Sequence, residues 1–455
     1  MEFRNLEAVV YGAGKSGAAA SALLSSLGAH VTLFDGKADP EAVREKLSGL
    51  AGSVRIVTGT LPDEVYARTD LLVLSPGVPT DLPDVIRFRE AGIPVWGEVE
   101  LAFRAGRGRV LAVTGTNGKT TTTALLGAIM GAVSPEVFVV GNIGKSFAAA
   151  ADDTTENSVI VAEISSFQLE TIHEFRPSVS AILNITEDHL NRHHTMEEYI
   201  RVKELITKNQ DGNDTCVLNY EDPVLREFAA SCPTRVFFFS SARELDDGIF
   251  LRDGEIVIRR DGAERKLLLT DELKLIGVHN YENVMAAAAM AYAAGVEPGT
   301  IAEVCRAFRP VAHRIEYIAE KNGVIWYNDS KGTNPDAAIR GIRAMSRPTF
   351  LIAGGYDKGS DYDEWIRSFD GRVKRLVLEG KTAENIRESA LRCGFPGDRI
   401  VMKETMREAM DYCRAHAEAG DAVLLSPACA SWGEFPNYEV RGETFRDYVE
   451  KEIPG

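Results

Sequence analysis

The chain has 455 residues, with 51 Lys+Arg against 67 Asp+Glu and a formal net charge of −16, and at about 150 residues per domain it has room for two to four domains. Hydrophobic residues make up 45% and charged residues 26%, a globular composition that excludes a disordered or fibrous chain; the acidic balance excludes a general nucleic-acid binder, which needs a basic face for phosphate. Six cysteines are scattered without a C-x-x-C pair, the pattern of reduced thiols in a cytosolic protein rather than a disulfide framework or zinc site.

The N-terminus, MEFRNLEAVVYG, carries charge early and runs straight into a strand, unlike a signal peptide. The longest apolar run, Met285 to Gly295, is an alanine-rich helix, well short of the about 18 residues that span a bilayer. A cytoplasmic protein without membrane insertion is expected. Short β-branched runs alternate with helical patterns, which predicts an α/β fold with parallel sheets. Predicted strands include Ala8–Tyr11, Val31–Phe34, Leu71–Ser75, Val110–Thr114, Val159–Glu163, Ala181–Asn184, Thr349–Ala353 and Ala422–Leu425. Three domains are expected, at 1–98, 99–310 and 311–455: a Rossmann-like N-terminal domain, a central P-loop-type ATP-binding domain and a Rossmann-like C-terminal domain. Two Asp-Gly turn signals between alternating runs after Phe250 predict a small antiparallel insert in the central domain.

Gly12-Ala-Gly14-Lys15-Ser16-Gly17 follows the first strand and opens a helix, and Asp35 ends the next strand. This is a G-x-G-x-x-G loop with an acidic residue about 20 positions on, a site for a nucleotide diphosphate that does not by itself choose a nicotinamide cofactor over a UDP-sugar. Ser75-Pro76-Gly77 lies at the same carboxyl edge of the sheet.

Gly115-Thr116-Asn117-Gly118-Lys119-Thr120-Thr121 is a sharper motif, a shortened P-loop with Val113 where the longer form has glycine. Its amides form an anion nest, with Lys119 at the phosphates and the Thr120 hydroxyl placed for Mg²⁺. Glu163 ends the strand Val159–Glu163, the position of a second anchor for nucleotide Mg²⁺. Asn184-Ile-Thr-Glu-Asp188-His189 ends another strand with oxygen and nitrogen ligands on offer. Lys203 falls at the centre of the apolar stripe of the helix Met196–Ile206, where a lysine must snorkel, pair or be neutral. Spacing alone favours snorkelling; a neutral amine could also take up CO₂ as a carbamate.

Asn280 and Asn283, one turn apart, either cap a helix or face a base. Arg314 follows the Arg309-Pro310 hinge. Lysines at successive strand ends, in Asn328-Asp329-Ser-Lys331-Gly-Thr333-Asn334 and in Gly354-Gly-Tyr-Asp-Lys358, suggest a pocket for a carboxylate substrate.

Taken in order, GTNGKTTT, Gly141-Asn142-Ile-Gly144, EISSFQLE, NITEDH, HNYEN, HR, NDSKGTN, GGYDKGSDY, SPACASWGEF and NYEVRGE resemble the bacterial Mur ligases, ATP-dependent amide-forming enzymes of peptidoglycan synthesis, over essentially the whole chain. The Gly12–Gly17 domain and Ser426–Ser431 with Arg441-Gly442 resemble the D-glutamate-adding branch. The resemblance implies UDP-N-acetylmuramoyl-L-alanine and D-glutamate as substrates, ATP, two Mg²⁺ ions and a monomer. It implies Lys119 and Thr120 at the phosphates; Thr120, Glu163, His189 and a carbamate on Lys203 as metal ligands; and Asn142 at phosphate or substrate. Gly115 to Thr121, Asn280, Asn283, Arg314, Asp329 and Lys331 would bind ATP. Gly14, Lys15, Ser16, Gly17, Asp35, Lys37, Ser75, Pro76, Gly77 and Asn142 would bind the UDP substrate. Thr333, Lys358, Ser431 and Tyr438 would receive D-glutamate. The chemical step would rest on Lys119, Asn142, His189, Lys203 and Arg314. Trp432-Gly433, Gly332 and His193-His194 depart from the family pattern. A folate-polyglutamylating ligase shares the ATP core but lacks the Gly12–Gly17 domain, while a nicotinamide oxidoreductase or a nucleotide switch has no use for the second set of loops.

Overall fold

The computed structural model describes residues 2–36, 38, 41, 43, 54–275, 277–309, 312–356 and 359–454. The predicted parallel α/β architecture is present as three sheets. The first contains β1 (Glu7–Tyr11), β2 (His30–Asp35), β3 (Val54–Thr58), β4 (Leu71–Leu74) and β5 (Val95–Gly97), in the order β3-β2-β1-β4-β5 and all parallel. The order reverses direction between β2 and β4 on either side of β1, and the glycine loop after β1 stands at that switch point, where open α/β sheets hold ligands.

The second sheet contains β6 (Arg109–Thr114), β7 (Val137–Gly141), β8 (Val159–Glu163), β9 (Val179–Ile182), β10 (Thr215–Asn219), β11 (Arg235–Ser240), β12 (Gly248–Arg252), β13 (Glu255–Arg260) and β14 (Ala263–Leu269). Its order is β14-β13-β12-β11-β10-β9-β6-β8-β7. β12, β13 and β14 pair antiparallel, and the two connecting turns place Asp253-Gly254 and Asp261-Gly262 at positive φ, the conformation that Asp-Gly supplies in tight hairpins. β9 is a correction to the predicted Ala181–Asn184. Its limits follow from pairing with β6, Leu111 opposite Val179 through Thr114 opposite Ile182, so Asn184 stands in the loop beyond the strand. Ser75 likewise falls just past β4.

The third sheet contains β15 (Glu316–Lys321), β16 (Val324–Asn328), β17 (Thr349–Gly354), β18 (Val373–Glu379), β19 (Ile400–Met402) and β20 (Ala422–Leu425), in the order β15-β16-β20-β17-β18-β19. The loops after β16, β20 and β17 therefore emerge side by side. Two clusters of buried apolar side chains flank this sheet.

The chain divides into two compact units, Met1–Glu272 with Glu282–Arg306, and Leu273–Tyr281 with Ala307–Gly455. Within the first unit, helix Glu98–Ala105 ties the first sheet to the second. The Glu100 carboxylate accepts backbone N–H groups of His173, Glu174 and Phe175 and pairs with Arg104 at 2.6 Å. Burial alone would raise its pKa, but these donors hold it below the usual carboxylate value, and charge-assisted hydrogen bonds of this kind contribute roughly 1.5–3 kcal/mol each. Among the described residues no helix is long and apolar enough to cross a membrane.

Candidate functional site

In the first unit the residues between β6 and helix Lys119–Gly131 form the sharpest ligand-binding geometry. Gly118 caps that helix at φ +85°, a left-handed conformation that suits glycine, and a β-carbon there would collide with Asn283 Oδ1. Asn283 also accepts from Thr122 Oγ1 at 3.4 Å. The loop is pinned from the next strand end: Asn117 N–H donates to Asn184 Oδ1 at 2.8 Å, and Thr116 N–H to the Asn184 carbonyl at 2.9 Å. Thr116 Oγ1 lies 3.1 Å from Tyr199 OH. Thr120 and Thr121 are buried at the start of the helix.

Two lysines converge on one carbonyl. Lys119 Nζ donates to Gly115 O and Thr116 O, both at 2.8 Å, and Lys203 Nζ donates to the same Gly115 O at 2.8 Å. Lys203 is 1% exposed and lies 4.6 Å from the Tyr199 ring. The snorkelling that spacing favours is therefore not what the fold shows. Burial, then the Lys119 charge, push the Lys203 pKa well below the usual lysine value, while Asp188 acts weakly in the other direction.

Glu163 ends β8 and is 2% exposed. Its Oε1 accepts from Asn142 Nδ2 at 3.3 Å, and Asn142 N–H donates to the Glu163 carbonyl. Oε2 is buried and has no hydrogen-bond partner among the described residues. A carboxylate oxygen stranded in this way is costly unless a donor or a cation meets it, and a hard divalent cation takes oxygen ligands of this type; the residues present fit Mg²⁺. His189 stands at φ +54° with its side chain half exposed, beside Asp188 (Nε2 to Oδ2 3.5 Å) and 4.9 Å from the Phe167 ring. His193, a departure from the family pattern, is buried and hydrogen-bonded to Ser166 Oγ at 3.0 Å. Among the described residues no three His, Cys, Asp or Glu side chains surround a common point.

At the first sheet, Gly14 caps helix Lys15–Ser26, which Lys15, Ser16 and Gly17 begin. Asp35 Oδ2 accepts from Ala13 N–H at 2.9 Å and Oδ1 from Ala38 N–H at 3.1 Å, so this carboxylate shapes the glycine loop. Ser75 Oγ donates to Gly12 O. Ser75 and Pro76 line a cleft completed by Glu98, Phe167, Gln168 and Thr171. Lys37 and Lys358 lie outside the described residues.

Glu98 escaped the sequence reading, because it looks like a first-turn acid on a wet helix face. It is 1% exposed; Oε1 accepts from Ala148 N–H at 2.6 Å, and among the described residues Oε2 has no hydrogen-bond partner. Burial raises its pKa from 4.5 to about 7. The folded state thus favours the neutral acid, and its contribution to stability is full below about pH 4.5 and is lost as pH rises through 7. Glu98→Gln should remove this dependence. The stability of the variant relative to the parent should grow by on the order of 2–3 kcal/mol between pH 5 and pH 8, measured by urea unfolding; a difference that stays constant with pH refutes it.

In the second unit, Asp329 is buried beyond β16. Its Oδ2 accepts from Ser426 Oγ at 2.7 Å, and burial pushes its pKa up to about 7. Lys331 N–H donates to His313 O, and Lys331 Nζ lies 5.3 Å from the Tyr438 ring. Arg314 begins at the same turn, and its charge is felt at Asp329. Thr333 follows in the same loop, Ser431 is buried after β20, and Tyr438 opens helix Tyr438–Asp447. Helix Val278–Ala293 carries both asparagines, Asn280 in the second unit and Asn283 in the first.

Residues 6–97 match the family described as Mur ligase MurD-like, N-terminal domain, residues 113–291 the Mur ligase middle domain, and residues 313–429 the Mur ligase, glutamate ligase domain. The chain is 51% identical over 452 residues to a UDP-N-acetylmuramoylalanine--D-glutamate ligase of Lachnospira eligens, covering 99% of each chain. It is 52% identical over 452 residues to the protein of that name in Lachnoclostridium phytofermentans, again covering 99% of each. Among solved structures, UDP-N-acetylmuramate-alanine ligase MurC of Thermotoga maritima has the same fold, with a TM-score of 0.59 at 18% identity over 98% of this chain and 99% of that one. MurF ligase of Thermotoga maritima in complex with ADP also has it, with a TM-score of 0.59 at 17% identity over 99% and 96%. A P-loop pinned by two lysines, a stranded strand-end carboxylate and a third sheet with loops side by side thus sit on a sequence matched along most of its length, and the chain belongs to the Mur ligase family.

Proposed function

We propose that this chain is an ATP-dependent ligase that joins D-glutamate to UDP-N-acetylmuramoyl-L-alanine in peptidoglycan precursor synthesis. The observation that carries the reading is the match of this whole chain to ligases of that name, at half identity, joined to the Lys119–Gly115–Lys203 arrangement at a phosphate-binding loop. The substrate carboxylate attacks the γ-phosphorus of ATP, giving an acyl phosphate and ADP; the amine of D-glutamate then attacks the acyl carbon and phosphate leaves. Lys119 neutralises charge on the transferring phosphoryl group, and the amides of Gly115 to Thr121 hold the neighbouring phosphates. Thr120, Glu163, His189 and Lys203 as its carbamate would hold two Mg²⁺ ions, which when bound neutralise phosphate charge. Asn142, fixed by Glu163, orients the reacting carboxylate or phosphate. Asn280, Asn283, Arg314, Asp329 and Lys331 serve the nucleotide. Gly14, Lys15, Ser16, Gly17, Asp35, Lys37, Ser75, Pro76 and Gly77 serve the UDP portion, and Thr333, Lys358, Ser431 and Tyr438 the amino acid. Domains at 1–98, 99–310 and 311–455 divide these tasks. The need for ATP supports a cytoplasmic enzyme, and we infer that it works as a monomer.

Phosphate release from ATP, Mg²⁺ and UDP-N-acetylmuramoyl-L-alanine tests the reading, with D- or L-glutamate added separately. Release is expected only with D-glutamate. Release with a different amino acid moves the protein to a sister ligase, and release with none refutes the ligase reading.

A further inference from the structure

Arg441 lies on helix Tyr438–Asp447 in the second unit and is 1% exposed. Its guanidinium reaches loops that follow three adjacent parallel strands. Nε donates to Ser330 Oγ at 3.0 Å, beyond β16. Nη2 donates to the Ser330 carbonyl at 2.9 Å and to the Cys429 carbonyl at 3.1 Å, the latter beyond β20. Nη1 faces Gly355 beyond β17, where a β-carbon would stand 3.3 Å from it, and has no hydrogen-bond partner among the described residues. Ser330 Oγ in turn donates to Tyr438 O at 2.8 Å, which closes the circuit onto the same helix. A planar fork with donors fixed in one plane can set two loops at a fixed spacing, which a point-charge ammonium cannot do. Among the described residues no carboxylate forms an ion pair with Arg441, although the Glu379 charge is felt there; burying a cation in this way is expensive, so the position demands more than packing. The Ser330 and Cys429 loops lead directly into Thr333 and Ser431, and Tyr438 is one turn before Arg441.

We propose that Arg441 is a positioning residue for the amino-acid half of the reaction: its guanidinium holds the Ser330 and Cys429 loops at the spacing that receives the incoming amino acid. This rests on the ligase reading above.

The test separates the two half-reactions. For Arg441→Lys, the KM for D-glutamate should rise at least about tenfold, the effect expected for loss of a charge-assisted contact. Acyl phosphate trapped by hydroxylamine with saturating ATP and the UDP substrate alone should stay within about twofold of the parent. Arg441→Ala should show the same split, and added guanidinium should lower its KM for D-glutamate. A variant with unchanged KM for D-glutamate overturns the proposal. So does a parallel loss of acyl-phosphate formation and thermal stability, which would mark a merely structural arginine. The ligase reading fails at a different point, when the unsubstituted enzyme releases no phosphate in response to D-glutamate.

Discussion

Lys119→Ala should lower turnover by about three orders of magnitude, the scale on which a single preorganised electrostatic donor acts, while leaving the protein folded. Lys119 is half-buried at the start of its helix, and its Nζ donates to two carbonyls of its own loop. Removing it costs the native state little apolar burial, whereas the loop loses the cation that faces developing phosphoryl charge. The loss should therefore appear in kcat for ATP-dependent phosphate release, with thermal melting within a few degrees of the parent. A second readout follows from Lys203. The Lys119 charge is one of the causes that depress the Lys203 pKa, so in Lys119→Ala, in buffer stripped of CO₂ so that the amine is free, it should titrate at higher pH, observable by NMR of the labelled side chain. Full turnover in the variant removes the ATP assignment from this loop.

What the sequence disclosed follows the range of the physics involved. Glycine loops are local: Gly12 to Gly17 and Gly115 to Thr121 each stand at a strand end with the helix cap that their spacing implies. The Asp-Gly turns at 253–254 and 261–262 also act through their own backbone, and the hairpins fall at those positions. Helical spacing put Lys203 on the buried stripe, yet its partner, Gly115 O, is 88 positions away, and no periodicity could name it. The Val179–Ile182 strand was misplaced by two residues because its ends are set by register against β6 rather than by its own composition. Glu98 and Glu100 resemble exposed acids on an amphipathic helix, and only contacts with Ala148 and with the 173–175 backbone make them interior groups. Arg441 was visible as part of a family signature, but its meaning comes from Ser330 and Cys429, 111 and 12 positions away. Local chemistry was legible; groups whose role depends on the meeting of distant strands were not.

Lys203→Ala should abolish turnover, because the second metal loses an anionic ligand, and short carboxylates such as acetate or propionate should restore a part of it. The argument begins with the protonation state. Burial and the neighbouring Lys119 charge lower the Lys203 pKa well below the usual lysine value, which raises the share of neutral amine at any given pH, and only the neutral amine condenses with CO₂. The resulting carbamate is an anion with oxygen donors, the type a hard cation takes, and Tyr199 and the buried helix face fix its stem. A purely structural lysine would act as a hydrogen-bond donor to Gly115 O alone. Lys203→Arg distinguishes the two, because arginine keeps a donor for that carbonyl but does not form the carbamate. It should be as inactive as the alanine variant, and the longer side chain should block rescue by acetate. The parent enzyme should in addition lose activity in buffers stripped of CO₂ and regain it on adding bicarbonate. An active Lys203→Arg enzyme, or a Lys203→Ala enzyme that no carboxylate restores, would leave this lysine with the loop-holding role and send the search for the second metal's anionic ligand elsewhere in the first unit.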